Sequence, residues 1–190
     1  MKKIIFIGVL AVLTMCVSNG FAQDTMKQDG KTQMSSSKNA DGKFMSMAAT
    51  SGMNEIILSN QALSKSSNED VKKFAQMMID DHTKAGDELK SLATTKNVML
   101  PTEADAKHKA ALTKMSSMTG DSFDMAYVKM MIKDHEKAVA MFQKESTNGK
   151  DADAKAFAAQ TLPTLQGHLA MARTMMSKMM GKTDNKMNGM

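Results

Sequence analysis

From Phe44 to Met176 apolar residues recur at spacings of three and four in four successive stretches, and only two prolines, Pro101 and Pro163, interrupt 190 residues. That spacing turns one stripe of a helix inward, where a strand would need strict alternation. The chain holds 11 glycines, no tryptophan and one tyrosine, so its core must come from aliphatic residues, alanine and methionine. Such a composition favours helices over sheets. The expectation is an all-α fold, a four-helix bundle over residues 42–180.

The first helix is expected from Gly42 to Ser66, capped by Asp41, with an inward seam of Phe44, Ala48, Ser51, Glu55, Leu58 and Ala62. The second opens at Asn68, a capping residue, with Glu69 and Asp70 in the first turn, where the helix dipole favours acids. Its seam is Val71, Phe74 or Ala75, Met78, His82, Ala85, Leu89 and Leu92. The stretch 97–120 is a long connection in which Pro101 and Thr102 can open a short crossover helix. His108 lies on it and reads as a surface or packing residue. The third long helix starts near Asp121 or Ser122, has the seam Val128, Met131, His135, Ala138 and Phe142, and ends at Gly149, which can take a left-handed cap. The fourth starts after Asp151 or Asp153, with Ala154, Phe157 or Ala158, Thr161 or Leu162, Leu165, His168, Ala172 and Met175 or Met176 inward. Pro163 should bend it, and Gly181 should end it before a disordered tail, 181–190.

Each long seam contains one conspicuous polar residue: Glu55, His82, His135 and His168. Each lies near the middle of its helix, so the four can meet in one layer whichever way the helices run. Two of them sit in a repeat, M-I-x-D-H-x-K-A, at Met78–Ala85 and Met131–Ala138. Asp81 and Asp134 precede the two histidines and turn about 100° away. They could hold a histidine of a neighbouring helix or add a carboxylate ligand. Three imidazoles and a carboxylate suit a transition metal such as zinc, copper or iron. The other reading is a metal-free network of histidines and acids that sets helix register.

The N-terminus has the parts of an export signal. Lys2-Lys3 is followed by an apolar run, Ile4 to Val17, too short for a comfortable membrane span, and Gly20-Phe21-Ala22 offers a cleavage site. Residues 1–22 are thus expected to leave, and with them Cys16, the single cysteine. Met15 is too bulky for Cys16 to read as a lipoprotein site. Residues 23–41 are polar and serine-containing and read as a flexible tether. The expected place is the periplasm or the outer membrane surface, with an envelope protein as a potential partner and no membrane-spanning segment in the mature chain. The net charge of +5 is spread among acids, without a basic stripe, which argues against nucleic-acid binding. There is no Gly-rich phosphate loop and no Ser-His-Asp order, which weighs against an enzyme.

Phe74-Ala75-Gln76-Met77-Met78-Ile79-Asp80-Asp81-His82, Pro101, Gly120-Asp121-Ser122-Phe123-Asp124, Asp134-His135, Phe157-Ala158, Thr161-Leu162-Pro163-Thr164-Leu165 and His168-Leu169 together resemble the domain-of-unknown-function 4142 family. The likeness runs from about Phe44 to Met176. It implies an exported protein with a ferritin-like four-helix fold and no established activity. The chain also distantly resembles a secreted helical family that includes copper-binding proteins. Ferritin-like oxidases use a Glu-x-x-His pair. Here Ile79, Ile132 and Leu165 stand three before the histidines, so di-iron chemistry is not expected.

Methionine is unusually frequent, 23 residues. The doublets Met77-Met78 and Met130-Met131 read as core filling. Met171, Met175, Met176, Met179, Met180, Met187 and Met190 cannot all face one core, and thioethers suit Cu(I) or act as oxidant scavengers. The function read from the sequence is a secreted bundle that holds a transition metal for envelope metal handling or stress. Its alternative is a metal-free structural or interaction module.

Overall fold

The computed structural model describes residues 40–188, with side chains described as far as Gly181. The expected export signal and nearly all of the tether lie outside the described residues. Five helices make up the rest: α1 (Ala40–Lys65), α2 (Glu69–Thr95), α3 (Ala106–Ser116), α4 (Gly120–Asn148) and α5 (Ala152–Asn188). No strand occurs among the described residues, so the chain is an all-α bundle. α1 packs on α2 and α4, α5 packs on α4 and α2, and α3 lies against α1 and α4.

The core shows how the long helices run. One apolar cluster holds Leu58, Val71, Phe74, Met78, Phe123, Tyr127, Met131 and Ala172. A second holds Phe44, Met45, Leu89, Ala93, Ala138, Phe142, Phe157 and Leu165. Along α1 and α5 the chain passes from the second cluster to the first, and along α2 and α4 from the first to the second. α1 and α5 are therefore parallel, and α2 and α4 run opposite to them. The third helix carries this reversal: Asn54 bonds Asp105, Gln61 bonds the Leu112 carbonyl, and Lys65 bonds the Ser116 carbonyl. All three pairs have the same offset in sequence, so α3 runs parallel to α1 and returns the chain to the end where α4 must start.

Several local expectations change. Asp41 does not cap α1 from outside; it lies within the first turn, buried, and accepts the Lys150 backbone N–H at 2.7 Å. Asn68 does cap α2, accepting from the Asp70 N–H. The crossover helix opens at Asp105 rather than at Pro101 and Thr102, because the Asp105 carboxylate accepts the His108 N–H at 2.8 Å. Gly149 takes φ −53° and not the left-handed conformation. What it supplies is space: a Cβ there would lie 2.7 Å from both the carbonyl and a carboxylate oxygen of Glu145. The left-handed glycine is Gly120, at φ +55°. α5 runs through Pro163 as one helix and continues past Gly181 to Asn188. One interior glycine costs only about 1 kcal/mol, and no proline follows it.

Next to Gly149, burial and the neighbouring Asp41 carboxylate push Glu145 up from 4.5 to about 7. Below 4.5 the folded and unfolded chains both keep the proton. Between 4.5 and 7 only the folded chain keeps it, and above 7 the fold must carry an ionised buried acid. Stability should therefore fall by about 1–2 kcal/mol as pH rises through that window, after allowance for solvent screening at the bundle's end. Urea unfolding at pH 5 and pH 8 should show the fall, and E145Q should flatten it.

Candidate metal centre

Between the two apolar clusters lies one polar layer. α1 contributes Glu55, α2 His82, α4 His135 and α5 His168, and all four are buried. They sit there because the helical spacing that buries Leu58, Met78, Met131 and Leu165 buries the residue three or four positions away as well. The rings of the three histidines lie 5.3–5.6 Å apart, centroid to centroid. Each offers a ligand atom, and these atoms all lie within 4.8 Å of one another.

The hydrogen bonds around the rings decide what the nitrogens can do. His135 Nδ1 lies 2.9 Å from the Met131 carbonyl oxygen, which can only accept, so this nitrogen carries the proton. His168 Nε2 lies 2.8 Å from Asp81 Oδ2, which claims the proton there. In the neutral rings the other two nitrogens, His135 Nε2 and His168 Nδ1, are then bare. They face each other at 3.3 Å. Burial holds both histidines below the ordinary imidazole value, so a third proton between them is disfavoured. Two lone pairs at that distance call for a cation. Ligand nitrogens bound to a tetrahedral ion at ~2.0–2.1 Å stand about 3.3–3.4 Å apart.

Glu55 and His82 form the other side of the layer. His82 Nε2 is 3.0 Å from Glu55 Oε2, an ion-pair contact between two buried side chains. Glu55 Oε1 is 3.5 Å from His135 Nδ1. Burial opposes the charge on Glu55, yet the nearby histidines, His82 foremost, hold its carboxyl below the usual range. Burial likewise opposes the charge on His82, and the Glu55 carboxylate outweighs it, holding the imidazole above its usual value. No cysteine is available in this layer, so the donors are imidazole nitrogen and carboxylate oxygen, a set that suits zinc, copper(II) or iron(II).

Of the six candidate ligands, Glu55, His82, His135 and His168 are thus brought together, and Asp81 stands behind His168. Asp134 is not brought in. Its Oδ2 lies 2.9 Å from His108 Nε2, and its Oδ1 accepts from Lys137 at 3.0 Å. The two Asp-His pairs of the repeat work alike: each histidine enters the layer, and each aspartate turns to a histidine of a neighbouring helix. For Asp81 that helix is α5, and for Asp134 it is α3. His108, read from the sequence as a surface or packing residue, is buried, with Nδ1 2.8 Å from both Asp105 oxygens. A signal was present: two copies of one motif imply two aspartates with equivalent partners, and only the crossover held an unassigned histidine.

His108→Ala should therefore destabilise the fold by ~1–3 kcal/mol, since it leaves the buried Asp134 short of a partner. Hydrogen exchange should rise in α3, and metal content should not change.

Comparison with known proteins agrees with this architecture. The model of the family described as "Domain of unknown function (DUF4142)" matches residues 24–175. No curated protein matches. Among solved structures, the chain is similar to a DUF305 fragment from Deinococcus radiodurans, with TM-score 0.66 and 14% identity over 73% of this chain and 95% of that one. It is also similar to CopM in the Cu(II)-bound form, with TM-score 0.63 and 19% identity over 73% of this chain and 96% of that one. At such identities the likeness establishes the helical fold alone.

Proposed function

The chain belongs to the DUF4142 family, and we propose that it binds one transition-metal ion in the bundle core, held by His82, His135 and His168 with Glu55 beside them. The observation that carries this reading is the pair of bare nitrogens, His135 Nε2 and His168 Nδ1, facing each other at 3.3 Å in an apolar bundle. Asp81 and the Met131 carbonyl serve the ion indirectly. They fix the tautomers and aim the free nitrogens inward, as acceptors behind metal-bound histidines commonly do. The fold's likeness to CopM, whose solved form holds Cu(II), supports a metal-handling role. The single crossover through α3 supports a ferritin-like form of the bundle.

Metal analysis of protein purified without an affinity tag should find about one ion per chain by the donor set. H135A should lose it, and D81A should weaken binding by about 10–100-fold. Saturating zinc or copper at a hundred times the dissociation constant should add ~2.7 kcal/mol of stability. Sub-stoichiometric metal with no stabilisation by zinc, copper or iron would overturn this reading.

A second reading is a metal-free polar layer that fixes register. It is favoured by the contacts the layer already makes, His168 with Asp81 and His135 with Met131. It predicts that H135A lowers stability in metal-free buffer as much as in buffer with metal.

We also infer that the protein works in the cell envelope. The N-terminal Lys2-Lys3, the apolar run after it and Gly20-Phe21-Ala22 support export. No helix among the described residues is long and apolar enough to cross a membrane. Mass measurement of protein released by osmotic shock should give a chain that begins at Gln23.

A further inference from the structure

A groove of about 390 Å³ runs between α2 and α5 and shares no lining residue with the polar layer. Its floor is Phe74 and Met77 from α2 and Met171 and Met175 from α5. Phe74 and Met175 are buried, Met77 is half-buried, and Met171 keeps 39% of its surface exposed. Met171 and Met175 stand four apart on α5 and so share one face of it. Methionine suits a binding surface of this kind, because its unbranched side chain re-packs around a flexible ligand.

The groove has two unlike ends, because α2 and α5 run in opposite directions. Its apolar end is Met77 with Ala170 and Met171. Its charged end is Asp70 and Lys73 with Lys178. Both lysines are exposed, and neither forms an ion pair among the described residues. Two cations against one carboxylate leave that end positive. From Asp70 to Met77 the lining rises about 10 Å along α2. The volume falls within the range of small-molecule sites, roughly 300–1,000 Å³. The charge selects the head of the ligand. A soft cation on the thioethers would sit beside two ammonium groups, and a neutral lipid would leave those groups unused. A chain of medium length with an anionic head answers both ends.

We propose that this groove binds a single-chain carboxylate amphiphile of the fatty-acid class, its chain on Met77, Met171 and Met175 and its carboxylate between Lys73 and Lys178. The site is separate from the metal centre, so the two readings stand or fall independently.

The full chain can be titrated calorimetrically with decanoate, kept below the concentration at which it forms micelles. Saturable binding at one decanoate per chain is expected, by the single-groove argument. Decanol, which has the same chain and a neutral head, should bind at least ~10-fold more weakly, because it gives up the charge-assisted hydrogen bonds. The double substitution K73Q and K178Q should weaken decanoate at least ~10-fold and leave decanol as it was. M171E should weaken both ligands, since it puts a charge at the apolar end. All three positions are exposed, so helix content and melting temperature should stay close to those of the unchanged chain. Absence of saturable binding, equal affinity for decanol, or full decanoate affinity in a folded K73Q/K178Q or M171E protein would each overturn the proposal.

Discussion

Everything in this bundle is arranged around a confrontation between two nitrogens. His135 Nε2 and His168 Nδ1 point at each other because the proton on each ring is drawn to the opposite side, to a carbonyl oxygen in one case and to Asp81 in the other. The surrounding protein is apolar, so water cannot fill the gap freely and charge inside it is expensive. The layer answers that expense with an internal carboxylate, Glu55, which lies within reach of His82 and His135. A cation placed among these groups would meet bare nitrogens and a compensating negative charge. Within the layer itself, Glu55 and His82 answer each other at 3.0 Å.

This layer also explains the form of the core. Helices in a bundle ordinarily share one continuous apolar seam. Here the seam is cut in two at one depth, and the clusters on either side differ in character. In the half that contains Tyr127 and Met131, Tyr127 finds a partner in Ser59 at 2.8 Å. The half that contains Phe142 and Leu165 has an opening between α1 and α2, where Gly52 leaves room beside His82. Glu55 and His82 are among the residues that line it.

The repeat M-I-x-D-H-x-K-A has a structural meaning that its two copies alone do not reveal. It stands on α2 and α4, which run in the same direction through the bundle, so both copies put histidine and aspartate at one depth with one handedness. The neighbours then separate their roles. The aspartate of the first copy meets His168 and serves the central layer. The aspartate of the second meets His108 and fastens the crossover helix. Identical local chemistry is therefore used once to orient the candidate ligands and once to hold the connection that makes the topology possible. The methionine doublets behave more simply. Met78 and Met131 are buried, their partners Met77 and Met130 are half-buried, and flexible thioether chains fill a core with few aromatic rings.

Much of this was legible in the chain. Spacings of three and four placed the helices and their buried faces, and the polar exceptions on those faces picked out Glu55, His82, His135 and His168. These follow from local physics, since helical periodicity fixes which residues share a face. The departures came where a distant partner decides. Asp134 and His108 pair across 26 positions of sequence, and Asp41 meets Lys150 across 109. Gly149 is small because Glu145 and Lys155 crowd it, not because its backbone requires glycine. The sequence by itself determined the helices and the four residues of the layer. Only the tertiary structure decided which nitrogens are free, which aspartate serves which histidine, and where the core opens. Those depend on the rotation and direction of neighbouring helices, which no local spacing encodes.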